Sequence, residues 1–105
     1  MKPPYWAVIF TRRRTDLGEE DYQRLAARMV ELAAAQPGFL GVESVSDETG
    51  LGITVSYWES REAIAQWGRH LEHQEAQREG RARFYERFAL RIARVEEERL
   101  FEGEA

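Results

Sequence analysis

The two histidines of this chain lie close together, inside the segment WGRHLEHQEAQ that spans residues 67–77. An imidazole has an ordinary pKa close to neutral pH, so His70 or His73 could remove a proton from a substrate as a general base. At positions i and i+3 they could instead share a metal ion, or one of them could ligate haem iron. Two histidines are a weak metal signal, because zinc sites usually take roughly three or four protein ligands. A third interpretation is that both are solvated residues on a helix surface.

The residues around the histidines predict one continuous helix over residues 60–79, with Ser60 as its N-cap and Gly80 at its end. Successive residues of a helix are about 100° apart around its axis. Trp67 therefore falls on the buried stripe of this helix, and His70 falls at the edge of that stripe. The polar residues that share this flank are His70, His73 and Gln77.

The remaining pattern predicts four strands and one further helix. The predicted strands are residues 5–11, 39–45, 52–58 and 84–95. The further helix covers residues 19–36, with Asp16 as a candidate cap and Pro37-Gly38 at its end. The order β-α-β-β-α-β is that of a ferredoxin-like α+β fold, in which two helices cover one face of an antiparallel sheet.

Large side chains on both faces of the first and third strands indicate a covered second face. In the first strand, Tyr5, Ala7 and Ile9 alternate with Trp6, Val8 and Phe10. A sheet with one face in water would alternate with polar residues instead. The chain has no further element for the second face, so we expect a homodimer.

Length and composition limit the classes of protein to which this chain can belong. At 105 residues the chain is expected to form a single domain over residues 1–105, with a core of about residues 4–98 and a tail at 99–105. The absence of cysteine excludes disulfides, thiolate zinc sites, iron–sulfur clusters and thiol nucleophiles. A net charge of −4 gives no basis for binding nucleic acid. The short apolar run near the N-terminus predicts neither a signal peptide nor a membrane span, and we expect a cytoplasmic protein.

Three segments resemble the antibiotic biosynthesis monooxygenase (ABM) domains: YWAVIFTRRR, QPGFLGVES and GITVSYWESREAIAQW. The resemblance covers nearly all of residues 4–98. Its most specific part is Tyr57-Trp58-Glu59-Ser60 leading to Trp67, and Pro37-Gly38-Phe39 is a second anchor. The resemblance implies a ferredoxin-like domain whose sheet pairs with that of a second copy to form a dimeric α+β barrel.

The resemblance also implies a choice between two chemistries. Haem-degrading relatives use an asparagine on the first strand, a tryptophan on the second helix and a haem-ligating histidine ten residues later. Trp67 matches the tryptophan, but Gln77 stands at the ligand position and Thr11 near the asparagine position, and the chain contains no asparagine. Haem degradation of that type is therefore disfavoured. Haem or small-molecule binding without catalysis, with His70 or His73 as a haem ligand, stays an alternative.

The resemblance to cofactor-independent relatives predicts a monooxygenase that acts on a small aromatic or quinol-type substrate, without metal or cofactor. Such enzymes enclose the substrate in an aromatic pocket, remove a proton and let dioxygen react with the resulting anion. We expect His70 as the base and Trp67 in the pocket wall. The predicted substrate-binding residues are Phe10, Thr11, Tyr57, Trp58, His73, Gln74 and Gln77.

Arg12 ends the first predicted strand and could clamp a carboxylate or phenolate at the mouth of the cleft. Its neighbours Arg13 and Arg14 favour another interpretation. In that interpretation the three arginines form a solvated turn, or a dimer salt bridge with the acidic run at residues 96–98.

Overall fold

The computed structural model describes residues 1–103, apart from the side chain of Leu71. The strands are β1 (Tyr5–Arg14), β2 (Phe39–Ser46), β3 (Leu51–Trp58) and β4 (Tyr85–Val95). The helices are α1 (Glu19–Ala34), α2 (Arg61–Gly68) and α3 (Leu71–Glu79), followed by a π-helical turn at Gly80–Phe84. The strands form one antiparallel sheet in the order β2-β3-β1-β4. The predicted ferredoxin-like α+β fold is confirmed, and its pairing into a dimeric barrel stays a prediction.

The pairing register fixes which side chains face the helices. Val8 pairs with Ser56, and it packs against the core formed by Trp58 with Ala33 of α1 and Trp67 of α2. Because directly paired residues of antiparallel strands project to the same face, the even-numbered residues of β1 and β3 line the helix side. The odd-numbered residues of both strands therefore project to the opposite face.

The predicted single helix over residues 60–79 is wrong, because the chain leaves the helical path after α2. Ser60 caps α2 as expected, and its hydroxyl accepts a hydrogen bond from the backbone of Ala63 at 3.0 Å. The helix ends at Gly68, a residue of low helix propensity, and the backbone N–H of His70 bonds back to the Trp67 carbonyl at 3.0 Å. His70 has an extended conformation (φ −62°, ψ 131°), and α3 begins after it.

One of the predicted helix ends is confirmed and another differs from the structure. Gly80 is the C-cap of α3, as predicted, although its backbone is helical and the chain continues from it through the π-helical turn. Gly80 is also required for space, because a Cβ there would lie 2.6 Å from Cε2 of Tyr85. At the start of α1 the N-cap position belongs to Gly18 in a left-handed conformation (φ 61°), not to Asp16.

The helices leave part of their own side of the sheet uncovered. Phe88, Leu90 and Ile92 pair with Arg12, Phe10 and Val8 of β1, so they project to the helix side, yet all three are exposed. This apolar row belongs to the edge strand of the sheet, beyond the reach of α1 and α2. Within residues 1–103, no helix is long and apolar enough to cross a membrane.

Candidate functional site

Trp67 is held between two aromatic neighbours at the centre of the helix side. Its indole stacks on that of Trp58, with ring centroids 6.3 Å apart and planes inclined by 24°. Trp58 is fully buried at 0% exposure, and its Nε1 donates a hydrogen bond to Ser56 Oγ at 2.9 Å. Phe39 of β2 meets Trp58 edge to face at 5.4 Å. Trp67 is therefore fixed from behind by a packed aromatic wall.

His73 covers the ring of Trp67 from α3. The two rings are nearly parallel, with centroids 4.2 Å apart and planes inclined by 11°. His73 Nδ1 lies 3.0 Å from the backbone carbonyl oxygen of Trp67. Because a carbonyl oxygen only accepts hydrogen bonds, Nδ1 must carry the proton, and in the neutral ring Nε2 keeps its lone pair.

Burial lowers the pKa of His73 below its ordinary value of 6.5. The hydrogen bond to the Trp67 carbonyl acts in the opposite direction, and the nearby His70 lowers the pKa of His73 further. Burial is the largest of these causes because a half-buried imidazolium loses hydration that the neutral ring does not need. At neutral pH His73 is consequently a neutral imidazole that can accept a proton at Nε2.

His70 also contacts Trp67, from the break between α2 and α3. Its ring centroid is 5.5 Å from that of Trp67, with the planes inclined by 38°. His70 Nδ1 is buried, and the described part of the chain offers it no hydrogen-bond partner. A buried imidazole nitrogen without a partner loses free energy that a bound hydroxyl or oxyanion could restore.

The structure brings only some of the predicted site residues to this side of the sheet. Phe10 and Trp58 share the helix side with Trp67, His70 and His73. Thr11 and Tyr57 project to the opposite face, because strand side chains alternate. On α3, Gln77 is half-buried and Gln74 is exposed.

Tyr57 has a partner of its own on the opposite face. Its hydroxyl donates a hydrogen bond to Glu43 at 2.7 Å, and its ring meets Tyr5 edge to face at 5.8 Å. The hydrogen bond to the Glu43 carboxylate is the largest cause of a raised pKa at Tyr57, and burial adds to it. Tyr57 is therefore a neutral phenol bound to a carboxylate, on the face away from the histidines.

A second polar group lies on the helix side around Arg12, for which the sequence favoured a solvated turn or a dimer salt bridge over a clamp in the cleft. Arg12 is not solvated, since it is only 7% exposed. Its Nε donates to the hydroxyl of Tyr22 at 2.9 Å, and Nη1 donates to Thr54 Oγ1 at 2.9 Å. The hydroxyl of Ser44 lies 2.7 Å from Thr54 Oγ1 and extends the network to β2. The signal that could have found Arg12 is its even position in β1, which it shares with Val8 and Phe10.

Tyr85 joins this polar group through Tyr22, with ring centroids 6.0 Å apart. Burial raises the pKa of Tyr85 well above its ordinary value, and the neighbouring Tyr22 raises it further. The guanidinium groups of Arg12 and Arg14 act in the opposite direction without overcoming the burial. Tyr85 is therefore a neutral phenol beside a buried cation.

A cavity of about 390 Å³ opens beside Arg12, at the end of the sheet away from the histidines. Arg12, Arg14 and Tyr22 line one side, and the turn between β2 and β3 lines another. Trp67, His70 and His73 are not part of this lining. The structure therefore has two separate polar sites on the helix side. Within residues 1–103, no group of three or more histidine or acidic side chains is arranged to hold a metal ion.

The sequence profile of the antibiotic biosynthesis monooxygenase family matches residues 8–79 of this chain. The chain is also 52% identical over 101 residues to the uncharacterised protein YqjZ of Bacillus subtilis, which covers 96% of this chain and 88% of YqjZ. Both matches include Trp67 and the region around it.

Solved structures share the fold at low sequence identity. SnoaB, a cofactor-independent oxygenase from Streptomyces nogalater, superposes with a TM-score of 0.80 at 13% identity, covering 95% of this chain and 100% of SnoaB. The protein PA3566 from Pseudomonas aeruginosa superposes with a TM-score of 0.73 at 15% identity, covering 94% of this chain and 99% of PA3566. At these identities the likeness concerns the fold alone.

Proposed function

Because the chain belongs to the antibiotic biosynthesis monooxygenase family, we propose that it is a monooxygenase that oxidises a small electron-rich aromatic with dioxygen and without a cofactor. The substrate class is a phenol or quinol that binds on the helix side of the sheet, beside Trp67. The fold shared with SnoaB, a cofactor-independent oxygenase, supports the absence of a cofactor.

The observation that carries the proposal is the stacking of His73 on Trp67, with centroids 4.2 Å apart. This contact and the hydrogen bond to the Trp67 carbonyl fix the imidazole and leave Nε2 as a lone-pair nitrogen. A neutral imidazole held rigidly against Trp67 gives a base whose free nitrogen has a fixed direction, and its own ring adds an aromatic surface beside the site.

The two histidines have different roles in this proposal. His73 accepts the proton of the substrate hydroxyl at Nε2. His70 binds a second substrate oxygen through its buried Nδ1, which has no partner in the described chain. The assignment reverses the sequence-based expectation of His70 as base, because the hydrogen bond to the Trp67 carbonyl fixes the tautomer of His73 and leaves Nε2 as an acceptor, whereas no hydrogen bond within the described chain orients His70 Nδ1.

The reaction balances with dioxygen as the sole oxidant. Loss of the hydroxyl proton to His73 gives an electron-rich phenolate, which transfers an electron to dioxygen. Combination of the two radicals forms a carbon–oxygen bond at a hydrogen-bearing ring carbon ortho or para to the phenolate oxygen. The oxygen–oxygen bond then breaks, so that one oxygen atom stays in a quinone and the other leaves as water. The water takes up the proton held by His73 and the proton that the attacked ring carbon loses as its carbonyl forms.

Oxygen consumption with a panel of phenols and quinols tests the proposal, on protein treated with a chelator beforehand. We expect one dioxygen consumed per substrate oxidised, and one labelled oxygen atom in the product under ¹⁸O₂. Removal of a general base typically lowers the rate by about 10²- to 10⁴-fold, so His73→Gln should be slowed to that extent.

His70→Gln is the matched variant. It should raise KM more than it lowers kcat, because His70 is proposed to bind and not to take the proton. Saturable binding of the same phenols without any oxygen consumption would contradict the enzyme proposal and indicate a non-catalytic binding protein. If His70→Gln lost most of its kcat while His73→Gln kept the kcat of the unmodified chain, His70 would be the base and His73 the binding residue.

A further inference from the structure

The guanidinium of Arg12 is a buried cation whose hydrogen-bond partners are all uncharged. Its side chain is 7% exposed, and Nε and Nη1 donate to the hydroxyls of Tyr22 and Thr54. Within residues 1–103, Nη2 donates to no group at all. Buried charges in proteins are normally paired with an opposite charge, because an unpaired one loses its hydration without compensation.

Carboxylates line the same cavity, but within residues 1–103 none of them forms an ion pair with Arg12. Tyr85 stays a neutral phenol, since burial raises its pKa. Glu19 also lines the cavity, and it is bound to Arg14 at 2.5 Å. The anion that would balance Arg12 is therefore not found among its contacts.

Arg14 adds a second positive charge to the same cavity. Its side chain is 10% exposed, and its Cζ lies 3.6 Å from the ring centroid of Tyr22. One terminal nitrogen pairs with Glu19 and the other donates to the carbonyl of Leu17. The remaining Nε is buried and has no hydrogen-bond partner in the described chain. Arg12 and Arg14 thus both line the cavity of about 390 Å³, and Arg12 Nη2 is a donor without a partner among residues 1–103.

We propose that this cavity is a binding site for the carboxylate group of a small organic acid, with Arg12 as its anchor and Arg14 as a second positive charge. A planar carboxylate matches the donors of a guanidinium, and charge-assisted hydrogen bonds of this kind are roughly twice as strong as neutral ones. The site is distinct from the Trp67 cluster and does not depend on the oxygenase proposal.

The rim of the cavity limits the charge of the ligand. Asp16 and Glu48 line the opening and are exposed. Asp47 is also at the rim, where hydrogen bonds from Thr49 hold the pKa of its carboxyl below its usual range. These negative charges repel a dianion more strongly than a monoanion. The site therefore favours a monocarboxylate over inorganic phosphate.

Calorimetric titration of the full chain with benzoate and with benzamide tests the proposal, because the two probes have nearly the same shape and differ in charge. We expect saturable binding of benzoate, at least about tenfold weaker binding of benzamide, and no competition by phosphate. Arg12→Gln should weaken benzoate at least about tenfold. The matched control is Arg91→Gln, since Arg91 is exposed on the opposite face of the sheet and should leave benzoate binding unchanged.

Circular dichroism establishes whether Arg12→Gln folds. If it does not, Arg12→Lys serves instead, because it keeps the charge and should retain a preference for benzoate over benzamide at reduced affinity. Equal affinity for the two probes in the unmodified chain would overturn the proposal, as would unchanged benzoate binding in a folded Arg12 variant. Benzoate binding that is lost in His73→Gln but kept in Arg12→Gln would place the acid at Trp67 and likewise overturn it.

Discussion

The imidazole of His73 lies parallel to the indole of Trp67, with ring centroids 4.2 Å apart and planes inclined by 11°. The arrangement depends on the break between α2 and α3, because in a continuous helix the Trp67 carbonyl would accept the backbone N–H four residues later. In this chain the carbonyl instead accepts hydrogen bonds from the backbone of His70 and from His73 Nδ1. The break thus allows the neutral imidazole of His73 to be held in a fixed position against Trp67.

Stability should fall in mild acid because of His73. Its pKa in the folded chain lies below 6.5, chiefly through burial, so the unfolded chain binds more protons as the pH falls below 6.5. The contribution of His73 is therefore fully favourable above the unfolded pKa, and it declines as the pH falls towards the lowered folded pKa. Urea unfolding at about pH 5 and about pH 8 measures the difference.

His73→Gln provides the comparison for this pH dependence. The variant lacks the titrating ring, so its free energy of unfolding should fall less between the two pH values than that of the unmodified chain. Equal losses in both proteins would show that other groups cause the acid sensitivity, and that His73 is not protonated at a lowered pKa.

Replacing Gly80 by alanine should lower the free energy of unfolding, whereas replacing Gly68 by alanine should raise it. A Cβ at Gly80 would lie 2.6 Å from Tyr85 Cε2, so Gly80→Ala should lower the free energy of unfolding by about 1–3 kcal/mol. A Cβ at Gly68 would meet nothing within 4 Å, and the residue is helical. Gly68→Ala should raise stability by about 0.4–1 kcal/mol through lower entropy of the unfolded chain. Denaturant unfolding of both variants measures these changes, and a Gly80→Ala variant as stable as the parent would contradict the close approach of Tyr85.

Trp58 should be the most costly aromatic to remove from the helix side. It is fully buried, stacks on Trp67 and meets Phe39 edge to face. Trp58→Ala should lower the free energy of unfolding by about 3–5 kcal/mol, because the cavity left behind cannot be refilled by the packed neighbours. Trp58→Phe keeps most of the volume and should cost less. Thermal and urea unfolding measure the stability of both variants. If both were as stable as the parent, the result would contradict this packing.

We expect a homodimer formed through the face of the sheet opposite the helices. Val45 is 71% exposed and Ile53 is 40% exposed, and their pairing in the sheet places both on that face. Light scattering during size-exclusion chromatography should give twice the mass of the chain. Val45→Glu should weaken the dimer at least about tenfold, because it would bury an unpaired charge.

Leu100→Glu is the control for the dimer, since Leu100 is 82% exposed and follows the last strand. It should leave the mass unchanged. A monomeric mass for the unmodified chain at micromolar concentration would contradict the prediction. If Leu100→Glu were monomeric while Val45→Glu stayed dimeric, the interface would lie at the C-terminal segment and not on the sheet.

Local patterns in the sequence were sufficient to predict the fold. Alternation in β1 and β3, the helical spacing before Pro37 and the Ser60 cap each depend on neighbouring residues in the chain, and each is found in the structure. The resemblance to the ABM domains also rests on contiguous motifs, and the family match confirms it. These features could be predicted because strand alternation and helix capping are decided within a few residues.

Only the tertiary structure decided which side chains form sites. The helix break after Gly68 let His73 reach Trp67, and the burial of Arg12 followed from contacts with Tyr22 and Thr54, which are distant in sequence. The sequence determined that Arg12 shares a face with Val8 and Phe10. It did not predict that side chains from other elements bury Arg12 on that face. Burial and pairing of polar groups arise from packing between elements, and the free energy of such long-range contacts is not contained in any local pattern.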